Sequence, residues 1–175
     1  MAAKDAILRM LQQLVGLPVT QARRASGMAM FDFGALHEVV TRRGTRAQEG
    51  SFALHLGCAW RVREGDAIVL GSGDMCYPED EHADWREFDM NRQRSRFDGR
   101  APAWLSSHPP ENLTVSAVEY RPAYAFALMF RYGGTLETFP ADSMTGPDSE
   151  FWRLFTPGSS ARHFVVGALG ILEYP

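Results

Sequence analysis

His55 and Cys58 lie three residues apart in the run Leu54-His-Leu-Gly-Cys-Ala-Trp60, and an imidazole beside a thiol is the raw material of a metal site or of a nucleophile with its base. In an extended chain, residues three apart point to opposite faces. The pair can therefore meet one metal or one substrate only if Gly57 bulges the strand. Adding Cys76 and His82 assembles a zinc set on paper, but the spacings match neither Cys-x-x-Cys nor His-Glu-x-x-His. Neither cysteine opens a recognisable helix, where a dipole would lower its pKa. Gly71-Ser-Gly-Asp74 lacks the remainder of any hydrolase elbow or phosphate loop and reads as a turn. These residues predict no catalytic set, no cofactor and no metal. The alternative they leave open is a small-molecule or hydrolase pocket near His55, Cys58 and Trp60.

A second group is acidic. Glu79, Asp80, Glu81 and Asp84 gather around His82 and Trp85. A solvated loop accounts for such a cluster, and so does a surface that meets a basic partner, because charge steers encounter while an aromatic anchors contact. Arg92, Arg94, Arg96 and Arg100 follow closely and would quench the carboxylates by pairing with them. Long irregular stretches inside compact domains are functional or disordered, and Tyr77, Trp85 and Phe88 weigh against disorder. The expected partner surface is thus Asp80, Glu81, Asp84 and Trp85, lying exposed. The aromatics Trp60, Tyr132, Phe151, Trp152 and Phe155 fall at strand spacing and read as core.

The elements that must position these groups are mostly strands. Ile7, Leu8, Leu11, Leu14 and Val15 form one apolar stripe at helical period, predicting a helix over 4–15 that Gly16 and Pro18 stop. Met28–Phe33 alternates like a strand, with 36–41 as its partner across Gly34 and a polar loop over 42–50. Phe52-Ala-Leu-His-Leu is nearly copied by Phe126-Ala-Leu-Met-Phe, and each is followed by a glycine turn and a further strand. Two alike hairpins imply an internal pseudo-repeat, over about 19–75 and 113–172. Ala101-Pro-Ala-Trp-Leu-Ser suggests a short helix that His108-Pro-Pro ends. Leu113–Tyr120 alternates as a strand, and 162–172 supplies the last one. The fold expected is α+β: one domain, 1–175, with an N-terminal helix packed on antiparallel sheet built from two related β-hairpin units.

Composition sets the outer bounds. Of 175 residues, 45% are hydrophobic and 22% charged, which supports a well-buried core. Eighteen basic against 21 acidic side chains give a net charge of −3, which argues against a nucleic-acid binder needing surplus Lys and Arg. Two cysteines make no disulfide framework, and no stretch has the uninterrupted apolar length of a signal peptide or membrane span. A cytoplasmic protein follows as the expectation, with no membrane partner.

The ordered set Leu54-His-Leu-x-Cys-x-Trp-Arg-Val62, Gly71-Ser-Gly-Asp74, Leu113–Tyr120, Phe139-Pro-Ala-Asp-Ser143, Trp152-Arg-Leu-Phe155 and His163-Phe-Val-Val166 resembles a group of small bacterial proteins with no established activity. The resemblance spans nearly the whole chain and implies a bacterial cytosolic protein, without a substrate or a site. Taken together, the expected role is non-enzymatic: a module that binds another protein, of inhibitor or immunity type, with a homodimer also compatible.

Overall fold

A computed structural model describes residues 2–41, 44–143 and 149–172. The apolar stripe of the N-terminus forms helix α1 (Ala2–Leu11), continued by a 3-10 turn over Gln12–Leu14. Ile7, Leu11 and Leu14 are fully buried, and Gly16, at φ +89°, ends the element in a conformation that favours glycine.

Strands β1 (Val19–Ala25), β2 (Met28–Phe33), β5 (Phe52–Leu56), β11 (Glu150–Phe155), β12 (Phe164–Gly167) and β13 (Gly170–Leu172) make a six-stranded antiparallel sheet in that order. A five-stranded antiparallel sheet runs β7 (Ala67–Gly71), β6 (Ala59–Glu64), β10 (Thr135–Phe139), β9 (Ala125–Phe130), β8 (Val115–Arg121). The remaining strands, β3 (His37–Val40) and β4 (Arg46–Glu49), pair only with each other. The two large sheets face each other across one hydrophobic core. Across it, Phe31 meets Trp60 edge-on at 5.1 Å and Phe126 meets Trp152 likewise at 5.1 Å. Trp152 can be wholly buried because its indole N–H donates to the Tyr124 carbonyl at 3.0 Å.

Helix α2 (Arg96–Ser106) packs on the β1 and β7 edges. Phe97, Ala101 and Trp104 give it a buried stripe, and the Asp98 carboxylate accepts the Ser95 N–H at 2.7 Å to start it. Pro102 lies inside the helix and cannot donate to the Asp98 carbonyl one turn back. Arg94 Nη2 occupies that acceptor instead, at 3.1 Å.

The expected α+β class, with an N-terminal helix and antiparallel sheet, is what the chain adopts. Several local expectations need correction. The partners of β2 are β1 and β5, not 36–41. The strand β3 folds back on β4, which occupies part of the expected polar loop. The α2 helix starts five residues before the expected 101. The two related hairpin units are not seen as such. Phe52–Leu56 sits between β2 and β11 in one sheet, while Phe126–Phe130 sits between β10 and β8 in the other. The second copy turns into its hairpin partner β10. The first leaves its sheet altogether at Gly57–Cys58, where both N–H groups donate to the Phe151 carbonyl at 2.9 and 3.0 Å, a bulge-like corner. A side chain on residue 57 would crowd the Glu150 carbonyl, its Cβ landing 3.1 Å away.

Candidate functional site

The corner separates the three residues of the expected pocket. Leu54 and Leu56 point into the core from β5, so the alternation sends His55 to the opposite face. Trp60, one strand later in the other sheet, is core: it sits edge-on to Phe31 and Phe97. Cys58 lies half-buried at the corner between them. It is a free thiol, and burial pushes its pKa up to about 11, far from nucleophilic. Cys76 is free and exposed. Among the described residues, no group of three or more His, Cys, Asp and Glu side chains is placed to hold a metal. The pocket expected near His55, Cys58 and Trp60 is therefore not one pocket.

His55 instead opens into the cleft between the outer face of the six-stranded sheet and the β3–β4 hairpin, a cavity of about 790 Å³. Arg23, Met30 and His55 line its floor, Val39, Val40, Thr41, Thr45 and Glu49 come from the hairpin side, and Phe155 and His163 close one wall. The Phe155 ring lies edge-on to His55 at 4.8 Å and stacked on His163 at 4.0 Å. Burial, then the neighbouring Arg153, His163 and Arg23, pull the His55 pKa down to about 4, so the imidazole is neutral at pH 7. Beside the cleft, Arg23 Nη2 bridges Asp32 Oδ2 at 2.6 Å and Glu49 Oε2 at 2.8 Å. Asp32 is only 1% exposed. Burial raises its pKa to about 6, against the opposing pull of Arg23. This bridge ties β4 to the sheet. Gly50 helps, since its backbone runs so close to Phe33 that a Cβ would lie 2.7 Å from the Phe33 carbonyl oxygen.

The acidic segment lies elsewhere. Asp80, Glu81, Asp84 and Trp85 are all exposed. Asp80 and Asp84 spend one oxygen each on local turns, accepting the N–H groups of His82 and Arg86. Among the described residues none of the three carboxylates is in an ion pair. Arg94 takes Glu79, and Arg92 takes Asp89, 3.5 Å away. The Arg86 guanidinium lies over the Trp85 ring at 5.4 Å. Upstream, Tyr77 borders a groove of about 420 Å³ floored by Trp60 and rimmed by Ile68 and Phe139.

Sequence reasoning missed the hairpin cleft and the groove rim. Asp32, an acid inside the apolar run Met-Ala-Met-Phe-Asp-Phe, was the available signal for the first, because a buried carboxylate demands a cation. Nothing local marks Ile68 and Phe139 as neighbours. No helix among the described residues is long and apolar enough to cross a membrane. Comparison with protein-family models, with curated proteins and with solved structures finds no match to this chain.

Proposed function

We propose that the chain is a non-enzymatic bacterial cytosolic protein that binds another protein through the acidic turn and the groove bordered by Tyr77, as an inhibitor- or immunity-type partner does. One observation carries this. Trp85 is 59% exposed among carboxylates with no ion-pair partner, while Ile68 at 57%, Tyr77 at 44% and Phe139 at 37% surround one groove. Large apolar side chains scattered singly over a surface need no explanation, but several on one groove suit a contact face. The charge defines the partner. Of the seven acids from Asp74 to Asp89, Asp74, Glu79 and Asp89 are taken by Arg100, Arg94 and Arg92, which leaves Asp80, Glu81, Asp84 and Glu87 without an ion pair among the described residues. A complementary surface therefore brings Lys or Arg to the turn and an apolar side chain to the groove.

The test compares the immobilised chain with two variants, D80K/E81K/D84K and I68S/W85A, by quantitative mass spectrometry of proteins retained from a bacterial lysate. A protein held by the parent and lost from both variants, then reproduced with the purified partner by calorimetry, is the expected result. Identical retention on all three surfaces overturns the reading.

A further inference from the structure

Three charged side chains line the groove beside Tyr77: Arg61, Asp74 and Arg96. Two of them are answered. Arg61 Nε donates to Glu137 Oε2 at 2.7 Å. Asp74 accepts the Gly71 N–H at 2.8 Å, and Arg100 Nη1 sits 3.2 Å from its other oxygen. Arg96 is not answered. Its guanidinium lies over the Tyr77 ring at 5.1 Å, and among the described residues no carboxylate pairs with it. Its Nε is buried without a hydrogen-bond partner among the described residues. The same holds for the indole Nε1 of Trp60, a residue 2% exposed on the groove floor. Buried donors are nearly always paired in folded proteins, so two unpaired ones on residues of one groove single it out.

The rest of the groove is apolar. Ile68, Phe139 and the Tyr77 ring form its rim, and its volume of about 420 Å³ lies at the small end of the ~300–1,000 Å³ usual for ligand sites. What fits is an apolar body with one anionic acceptor attached. An internal Asp or Glu brings its carboxylate on one or two methylenes and leaves the apolar rim uncovered. The last residue of a chain meets both needs, because its α-carboxylate and its side chain share one carbon. Carboxylate and guanidinium also match in shape, through paired N–H donors. The acidic turn begins three residues after Tyr77, and three residues of chain reach at most ~11 Å. Asp80 and Glu81, exposed and without an ion pair among the described residues, thus stand within a short peptide's length of the groove.

We infer that the partner docks by its C-terminus, with a terminal apolar residue in the groove, its α-carboxylate on Arg96, and an upstream Lys or Arg against Asp80 and Glu81. This rests on the reading of the turn and groove as a contact face and adds the part of the partner that fills it.

The probe is the pentapeptide acetyl-Lys-Lys-Ser-Gly-Phe with a free carboxylate, beside its C-terminal amide. Both are titrated into the full chain by calorimetry and followed at the Trp60 indole N–H by NMR. The acid is expected to bind at least about tenfold tighter than the amide, as a hydrogen bond to a charged group does, and to shift the Trp60 resonance. That comparison needs no variant. Arg96→Gln should erase the acid's advantage and leave the amide unchanged, while Arg96→Lys, which keeps the charge without the fork, should retain part of it. D80K/E81K/D84K should weaken acid and amide alike. Equal binding of acid and amide, an advantage that survives Arg96→Gln, or no binding of either at millimolar concentration would each overturn the inference. So would N-acetylphenylalanine binding as tightly as the pentapeptide, which would make the groove a small-molecule site. A partner held by the parent chain and lost from D80K/E81K/D84K and I68S/W85A leaves the contact face standing even where acid and amide bind alike, so the two failures are distinct.

Discussion

Arg24 Nη2 lies 2.7 Å from Asp98 Oδ2, and Arg24 Nε lies 2.9 Å from the same oxygen, so the outermost strand of one sheet is fastened to the first turn of α2. The same guanidinium also donates to the carbonyls of Met90 and Gln93. One arginine thus organises the irregular chain leading into the helix. Burial acts to raise the Asp98 pKa, but bonds from Arg24 and Ser95 prevail and hold it below the usual carboxylate value.

Arg24→Ala should therefore be severe. It strands Asp98 and the Met90 carbonyl in a part-buried setting, a loss of about 2–3 kcal/mol. Asp98→Asn keeps some of the capping geometry and should lose about 1–2 kcal/mol. Urea titrations of the two variants give the order directly, and a milder Arg24→Ala would show that the clamp is dispensable.

Stability between pH 4 and 6 should be nearly flat through cancellation. Asp32 has a folded pKa raised to about 6, so its contribution is complete below its unfolded pKa near 4 and lost as pH rises to 6. His55 has a folded pKa lowered to about 4. The unfolded chain binds that proton first, so stability declines as pH falls from 6.5 to 4. Each effect is on the order of 2–3 kcal/mol at most. Asp32→Asn should expose a fall in stability with acid, and His55→Gln a rise; parallel pH curves for the two variants would contradict the assignment.

The thiols should differ sharply in reactivity. Cys76 is exposed and Cys58 is half-buried with its pKa pushed to about 11. Iodoacetamide at pH 7.5 is expected to alkylate Cys76 and spare Cys58 in the folded chain, as read by peptide mass spectrometry. Equal modification would place Cys58 outside its corner.

The substitutions D80K/E81K/D84K should leave the melting temperature within about 2 °C of the parent, because exposed charges contribute ~0–1 kcal/mol each and these carboxylates pair with no arginine. A drop of 8 °C or more would make the acidic turn part of the scaffold.

What the sequence made legible depended on how local the cause was. The α1 stripe and the alternation of 113–120 are set by burial of one face, so residue order alone reveals them. The β1 strand was hidden because Gln21, Arg23 and Arg24 interrupt any apolar period. It is a strand because β2 supplies Asp32 to Arg23 and α2 supplies Asp98 to Arg24. The near-copy strands look alike because each occupies the interior of a sheet, and pattern cannot say which sheet. The exposed acids could be anticipated from charge and missing periodicity. The cleft could not, since Arg23, Glu49, His55 and His163 come from four distant segments joined only by long-range pairing.

The switch of sheets at Gly57–Cys58 has its largest effect on how the chain reaches this state. The six-stranded sheet takes β1, β2 and β5 from the first half and β11, β12 and β13 from the second; the five-stranded sheet takes β6 and β7 from the first and β8, β9 and β10 from the second. Neither half owns a layer. Trp60 and Val62 wait for Thr138 and Leu136, and Leu54 waits for Leu154. Contacts of such sequence separation make folding slow and all-or-none. A nascent chain ending before β8 holds two incomplete, sticky sheets. Interleaving thus makes the arrival of the last strands, β11 to β13, the event that commits this fold to its structure.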